Sequence, residues 1–235
     1  CIVNSKRKWK LNLALGEFAW HMRASDDLDF IKYYTNQWSK FSADGKKITG
    51  SCYGQKIFRK EGQSSQWERL IQILKNDKHS RRAIITLIDS STDIEAFSVD
   101  VPCTSSLQFI IRNNRLDLVT YMRSNDAIMG LPYDLFLFTM LQELAANELQ
   151  VDIGVYYHMV GSMHIYSEQL IMAEEILAER PNSFFLMPEM MSGSELSNFL
   201  TYEQVIRTTN KIMQLDNAAT ESTYWNDLLD VYKIK

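Results

Sequence analysis

Cysteine is scarce in this chain: Cys1, Cys52 and Cys103 are the only three among 235 residues, and they lie far apart. An odd, widely spaced set without a CxxC pair argues against a disulfide framework and against zinc-ribbon or thioredoxin-type chemistry. It favours a reducing compartment, and the expected location is the cytoplasm. Basic charge is not in excess either. The formal net charge of −4 leaves no broad cationic face of the kind a nucleic-acid binder presents. Anion binding would have to come from a few placed arginines, and no nucleic-acid partner is expected. Long apolar runs are also missing. The longest candidate, Ala127 to Leu141, is broken by Pro132 and Asp134 and falls short of the ~20 residues a bilayer requires. No membrane partner and no signal peptide are expected. Because the sequence starts at Cys1 rather than methionine, it is read as lacking an N-terminal piece.

What is present is an ordinary globular composition, 46% hydrophobic and 23% charged, in a length that suits one sizeable domain. The periodicity predicts helices over Leu11 to Met22, Gln66 to Asn76, Tyr133 to Leu149 and Glu168 to Glu179, with helical spacing also over Asp26 to Trp38 and near Tyr202 to Lys211. Strands are expected at Ala83 to Ile88, Leu107 to Ile111, Arg115 to Met122 and Ser183 to Met187. Asn113-Asn114 forms a tight hairpin between the second and third of these. Ser42 to Gly54 reads as a loop, and Asp152 to Ile165 mixes strand residues with glycines. The mixture predicts a single α/β or α+β domain over residues 1–235.

Several residues can carry chemistry, and each has a plainer role to set against it. Cys103 in Pro102-Cys103-Thr104 is a nucleophile or a small buried hydrophobe. Arg81-Arg82 at a strand start and Arg123-Ser124 at a strand end are ordinary surface or a phosphate-binding set, since guanidinium plus hydroxyl suits a phosphate monoester. A nearby arginine would also lower the thiol pKa and give thiolate at neutral pH. Glu17 lies within an apolar helix. It is a paired buried carboxylate or a proton-transfer group with a raised pKa. Asp134, opening a helix after Gly130-Leu131-Pro132-Tyr133, favours the helix dipole or reads a ligand. His164 and Tyr166 alternate like strand residues, as core groups or as site groups.

The runs EFAW, SCYG, HSRRAII, VPCTSSLQF, LVTYMRSNDAIMGLPYDL and GSMHIYSEQ follow one another in an order that resembles the thymidylate synthase superfamily. The resemblance extends from about Lys6 to Tyr166. It implies a mixed β-sheet flanked by helices, with sheets stacked across a homodimer. It implies that Cys103 adds to C6 of a pyrimidine nucleoside monophosphate, with 5,10-methylenetetrahydrofolate as co-substrate and no metal. Glu17 would organise proton transfers and help activate water. Tyr53 would sit in the ordered-water region. Arg123 and Ser124 would hold the phosphate, Arg81 and Arg82 that of the neighbouring subunit, and His164 and Tyr166 the sugar 3′-hydroxyl. Trp38 and Asp126 would line the folate site. A further phosphate arginine of the family lies on a loop before the point where this sequence begins.

Asp134 departs from the synthase pattern, which has asparagine there. Uracil offers an N3–H donor and an O4 acceptor, which an amide complements, whereas cytosine reverses both. Aspartate at this position resembles the cytidylate hydroxymethylases of the superfamily. Thr104, Met122 and Ser162 replace histidine, glutamine and aspartate of the synthases and point the same way, while Gly-Leu-Pro-Tyr is closer to the synthase. The expected reaction is (deoxy)cytidylate 5-hydroxymethylation. The alternatives are thymidylate synthesis from dUMP and a non-catalytic nucleotide-binding dimer, against which the presence of both Cys103 and Glu17 argues.

Overall fold

The computed structural model describes residues 5–94, 97–179, 187–190, 195–209 and 223–233. Helix α1, Leu11–Met22, buries most of its surface, including Leu15, Phe18 and Trp20. The predicted Asp26–Trp38 helix is instead two pieces: α2, Leu28–Lys32, and a 3-10 turn over Asn36–Phe41. The break is at Thr35, which is extended and accepts from the Gln37 N–H as a cap. Helix α3, Tyr53–Phe58, begins inside the segment expected to be loop. Gly54, which reads as a turn residue, is there for space: a Cβ would overlap the His21 carbonyl, so glycine lets α3 lie directly against α1. Helix α4, Gln66–Asn76, matches its prediction and starts with a reciprocal Ser65–Glu68 capping box.

Strands β1 (Ile84–Thr86), β2 (Thr104–Arg112), β3 (Arg115–Met122) and β5 (Asp152–Val160) form a mixed sheet in the order β1-β2-β3-β5. The first two pairings are antiparallel and β3/β5 is parallel. Asn113 and Asn114 both adopt positive φ, 51° and 57°, which is the two-residue turn that asparagine tolerates. Between β3 and β5 lie β4, Asn125–Asp126, and the long helix α5, Gly130–Leu149. β4 pairs in parallel with β6, Met163–His164.

Helix α6 runs Leu170–Ala178, within the expected Glu168–Glu179. Helix α7, Leu196–Thr209, starts earlier than predicted, and residues 210–211 of that expectation lie outside the described residues, as does the expected strand apart from Met187. Helix α8, Thr223–Asp230, had no clear signal. Its Trp225 and Leu229 are fully buried and join Phe199 of α7 in the core. No described helix is long and apolar enough to cross a membrane.

Alternation in the strands places the core. Ile85, Leu107, Phe109, Leu116 and Leu118 are buried beneath the helices. Helix α5 covers β3 and β5. The other face is bare: Ile84, Tyr121, Ile153, Val155, Tyr157 and Met159 are all exposed. A helix-covered and an uncovered apolar face on one sheet is an arrangement that invites a second layer.

Candidate active site

The site forms at the end of the β2/β3 hairpin away from its turn. Cys103 immediately precedes β2 and Arg123 immediately follows β3, and Thr104 pairs with Met122 between them. The register shifts between Thr104 and Ser106, an irregularity of the kind that re-aims side chains at a strand end. The Arg123 N–H donates to the Cys103 carbonyl at 2.9 Å. Its guanidinium donates to the carbonyls of Pro102 and Val101, each at 2.9 Å, and its Nη2 stands 3.9 Å from Cys103 Sγ. Nη1 has no hydrogen-bond partner among the described residues and Arg123 is exposed, so the cation can still meet an anion from solvent.

The expected thiolate is corrected by this environment. Burial pushes the Cys103 thiol up, Arg123 opposes it, and Asp134 and Asp100 add to the rise. The net direction is upward because one cation does not offset desolvation plus two carboxylates. The resting group is a thiol, and its proton must leave in the course of attack.

Glu17 and Asp134 are buried carboxyl groups with raised pKa values. Burial raises Glu17 to about 8, opposed by the Trp38 indole N–H, which donates to Oε1 at 2.9 Å, and helped by the Asp134 charge. Burial raises Asp134 to about 7, with Asn125 opposing and Asp126 adding to the rise. Two carboxyl groups raised to about 8 and about 7, near enough that the charge of Asp134 acts on Glu17, suit general acid–base work. Tyr53, on the first turn of α3, accepts from the Thr104 N–H at 3.3 Å and feels both Asp134 and Cys103. It stacks on His21 with ring centroids 5.5 Å apart. His21 is held neutral by burial, at about 3, and accepts from the Gly54 N–H through Nδ1 at 3.2 Å. It fixes α3, and Tyr53 with it, against α1. Sequence reasoning missed His21, although it sits four residues after Glu17 in the same apolar helix.

The β4/β6 pair brings in the remaining polar groups. Ser124 Oγ lies 3.5 Å from His164 Nδ1, and His164 meets the exposed Tyr166 edge-on at 5.0 Å. Asp126 accepts from the Ile128 and Met129 N–H groups and so holds the turn that leads into α5, which carries Asp134. Trp38 packs on Trp20 beside Glu17, with the exposed Phe41 next to it. Arg81 and Arg82 do not join this cluster within one chain. They are exposed at the start of β1, where Arg82, Ile84 and Thr86 alternate outward on the bare face. Asn125, His158 and Tyr156, not foreseen as site residues, form a hydrogen-bond chain behind Asp134.

The raised carboxyl values imply a direction for stability. Both groups bind their protons more tightly folded than unfolded, so their contribution is full below about pH 4 and is lost as pH rises through about 7 to 8. Urea midpoints of the apo-protein are expected to fall across that window. Glu17→Gln, whose amide can still accept from Trp38, should show a shallower fall; an identical pH profile would show that folding does not raise the Glu17 pKa.

A family model described as thymidylate synthase matches residues 2–207. Thymidylate synthase from Bacillus subtilis subsp. natto is 25% identical over 206 residues, covering 86% of this chain and 72% of that protein. The enzyme of Bacillus atrophaeus is 24% identical and is covered to 88%. Among solved structures, the thermostable thymidylate synthase A of Bacillus subtilis superposes with a TM-score of 0.63 at 24% identity, over 74% of this chain and 64% of its own. Thymidylate synthase from T4 phage gives 0.62 at 23%, over 75% and 66%. The superposition thus spans just under two thirds of each solved chain. Since the thymidylate synthase family model matches most of this chain, residues 2–207, the chain belongs to the thymidylate synthase family.

Proposed function

We propose that the protein transfers a one-carbon unit to C5 of a pyrimidine nucleoside monophosphate, that the nucleotide is (deoxy)cytidylate, and that the product is its 5-hydroxymethyl derivative. The observation that carries the choice of base is Asp134: a carboxyl raised to about 7, with Asn125 Nδ2 donating to its Oδ2 at 2.7 Å. A carboxylic acid accepts from the cytosine N4 amino group and donates to N3. An ionised carboxylate facing uracil O4 sets acceptor against acceptor, and sites of this kind discriminate strongly.

The residues divide the work. Arg123 and Ser124 hold the phosphate, and His164 with Tyr166 holds the sugar hydroxyl. Cys103 Sγ forms a bond to C6 as its proton leaves, which places the electron pair at C5 for bonding to carbon. Loss of the C5 proton would release tetrahydrofolate from the transferred carbon, water would add its oxygen there and return an electron pair to C5, and the C5–C6 double bond then re-forms as Cys103 sulfur leaves with the C6–S pair. Glu17 organises the proton transfers and positions water. Methylenetetrahydrofolate supplies the carbon when bound. The half-buried Trp38 ring, beside a titratable Glu17 and close to exposed Phe41, suits a flat heterocycle, and Trp38 with Asp126 would line its place. The bare sheet face supports a homodimer in which Arg81 and Arg82 reach the partner's phosphate site. The free thiols Cys52 and Cys103 suit a reducing cytoplasm.

The test is a mass-spectrometric product assay with methylenetetrahydrofolate against dCMP, CMP and dUMP in parallel. A hydroxymethylated cytidine nucleotide is expected and identifies the sugar. The second reading, methylation of dUMP, is favoured by the thymidylate synthase names of the relatives. Methylated dUMP with release of dihydrofolate would establish it and overturn the first.

A further inference from the structure

Three hydrogen bonds link the sheet to Asp134. Tyr156 and His158 lie on the inward side of β5, and the Tyr156 hydroxyl is 2.8 Å from His158 Nδ1. His158 Nε2 is 2.9 Å from Asn125 Oδ1, and the buried Asn125 donates from Nδ2 to Asp134 Oδ2 at 2.7 Å. Burial lowers the His158 pKa and raises that of Tyr156, so the imidazole is neutral and the phenol keeps its proton. A neutral imidazole offers one donor and one acceptor. With the Asn125 carbonyl facing it, Nε2 must carry the hydrogen, and Nδ1 accepts from Tyr156. Every donor in the chain therefore points toward Asp134.

The same atoms have one other consistent arrangement. If Asp134 carried a proton on Oδ2 and donated it to a flipped Asn125, the amide nitrogen would donate to Nε2 and Nδ1–H to the Tyr156 oxygen. The two arrangements differ in which Asp134 oxygen is the donor. In the first, Oδ2 only accepts from Asn125 and an acid proton on Oδ1 is free for the base; in the second, Oδ2 has given the one acid proton to Asn125 and Asp134 can only accept from the base. Cytosine and uracil present their donor and acceptor in opposite order along N3 and the C4 substituent. The first arrangement keeps the acid proton for cytosine N3, and the second presents only acceptors, which complement neither base in full.

We infer that His158 is a positioning residue which, through Asn125, fixes the donor–acceptor order of Asp134 and so sharpens the choice between cytosine and uracil. This rests on the reading in which Asp134 meets the base. It adds to that reading a cause outside the contact itself: specificity depends on residues of β4 and β5 as well as on the first turns of α5.

The test measures equilibrium binding of dCMP and dUMP to the full-length protein by titration calorimetry, without folate, for wild type, His158→Phe, His158→Gln, Tyr156→Phe and Asp134→Asn. His158→Phe should lower the dCMP-over-dUMP preference by about tenfold, the scale of losing one directed hydrogen bond in a buried site. His158→Gln, whose amide can donate to Asn125 and accept from Tyr156, should restore most of it. Tyr156→Phe should fall between wild type and His158→Phe. An unchanged preference in His158→Phe of wild-type melting temperature overturns the inference. Should that variant not fold, an unchanged preference in Tyr156→Phe overturns it instead. Asp134→Asn separates the two ideas. If it leaves the preference alone, the reading of the base by Asp134 fails. If it shifts the preference and His158→Phe does not, only the relay fails.

Discussion

Cys103→Ser is expected to reduce turnover by ~10³-fold or more while nucleotide affinity changes by no more than a few-fold. The exchange of sulfur for oxygen changes little in size and leaves the neighbours in place. Arg123 still donates to the Val101 and Pro102 carbonyls, and Ser124 and His164 still face one another. What changes is the ease of making the anion. A hydroxyl holds its proton far more tightly than a thiol, and the pocket gives little help, because burial already drives the Cys103 proton affinity upward against a single cation 3.9 Å away. Serine in the same surroundings has no accessible anion and no comparable nucleophilicity. The measurement is a single-turnover rate beside a calorimetric affinity for dCMP. Undiminished turnover would refute the covalent route through C6. Loss of binding together with turnover would show instead that Cys103 is a packing residue whose replacement collapses the hairpin end.

Much of this architecture is legible because its signals are local. Helices α1 and α4 are bounded as their apolar spacing predicts, and β3 ends where its apolar run ends at Arg123. The hairpin is written in two adjacent asparagines. Where the structure departs, the cause is tertiary. Helix α3 hides behind Gly54, whose absent side chain answers to the carbonyl of His21, 33 residues away. Helix α8 is short, and its burial against Phe199 decides that it forms. The site divides in the same way. Cys103, Glu17, Arg123 and Asp134 stand out by chemistry against their immediate neighbours, and the order of the runs around them suggests roles. The thiol's raised pKa, the His21 support beneath Tyr53 and the Tyr156–His158–Asn125 chain depend on contacts between elements, which no local pattern encodes. Asp152 to Ile165 reads as strand residues mixed with glycines, and the target of Tyr156 and His158, β4, is too short to announce itself.

Asp134→Asn should move the preferred nucleotide from cytidylate to uridylate, with the ratio of kcat/KM values changing by ~10²-fold or more. Asp134 sits in the first turns of α5, held by Asn125 on one oxygen, with a pKa near 7 that populates the acid at neutral pH. The acid complements cytosine, and the ionised form repels uracil O4. An amide in its place keeps an oxygen to accept from Asn125 and from N3–H of uracil, and brings an NH₂ to donate to O4. It cannot ionise, so the discrimination it makes no longer varies with pH. The substitution also removes a negative charge that raises both Glu17 and Cys103. Both pKa values should fall, and the pH dependence of turnover on the remaining substrate should move to lower pH with them. A competition assay offering dCMP and dUMP together, scored by product mass across pH, reads both effects at once. A reversed ratio with a downward shift assigns Asp134 to the base. A downward shift with the ratio unchanged leaves it only a charged neighbour of the reacting groups, placed to favour the start of α5, and transfers the choice of base to the residues around it.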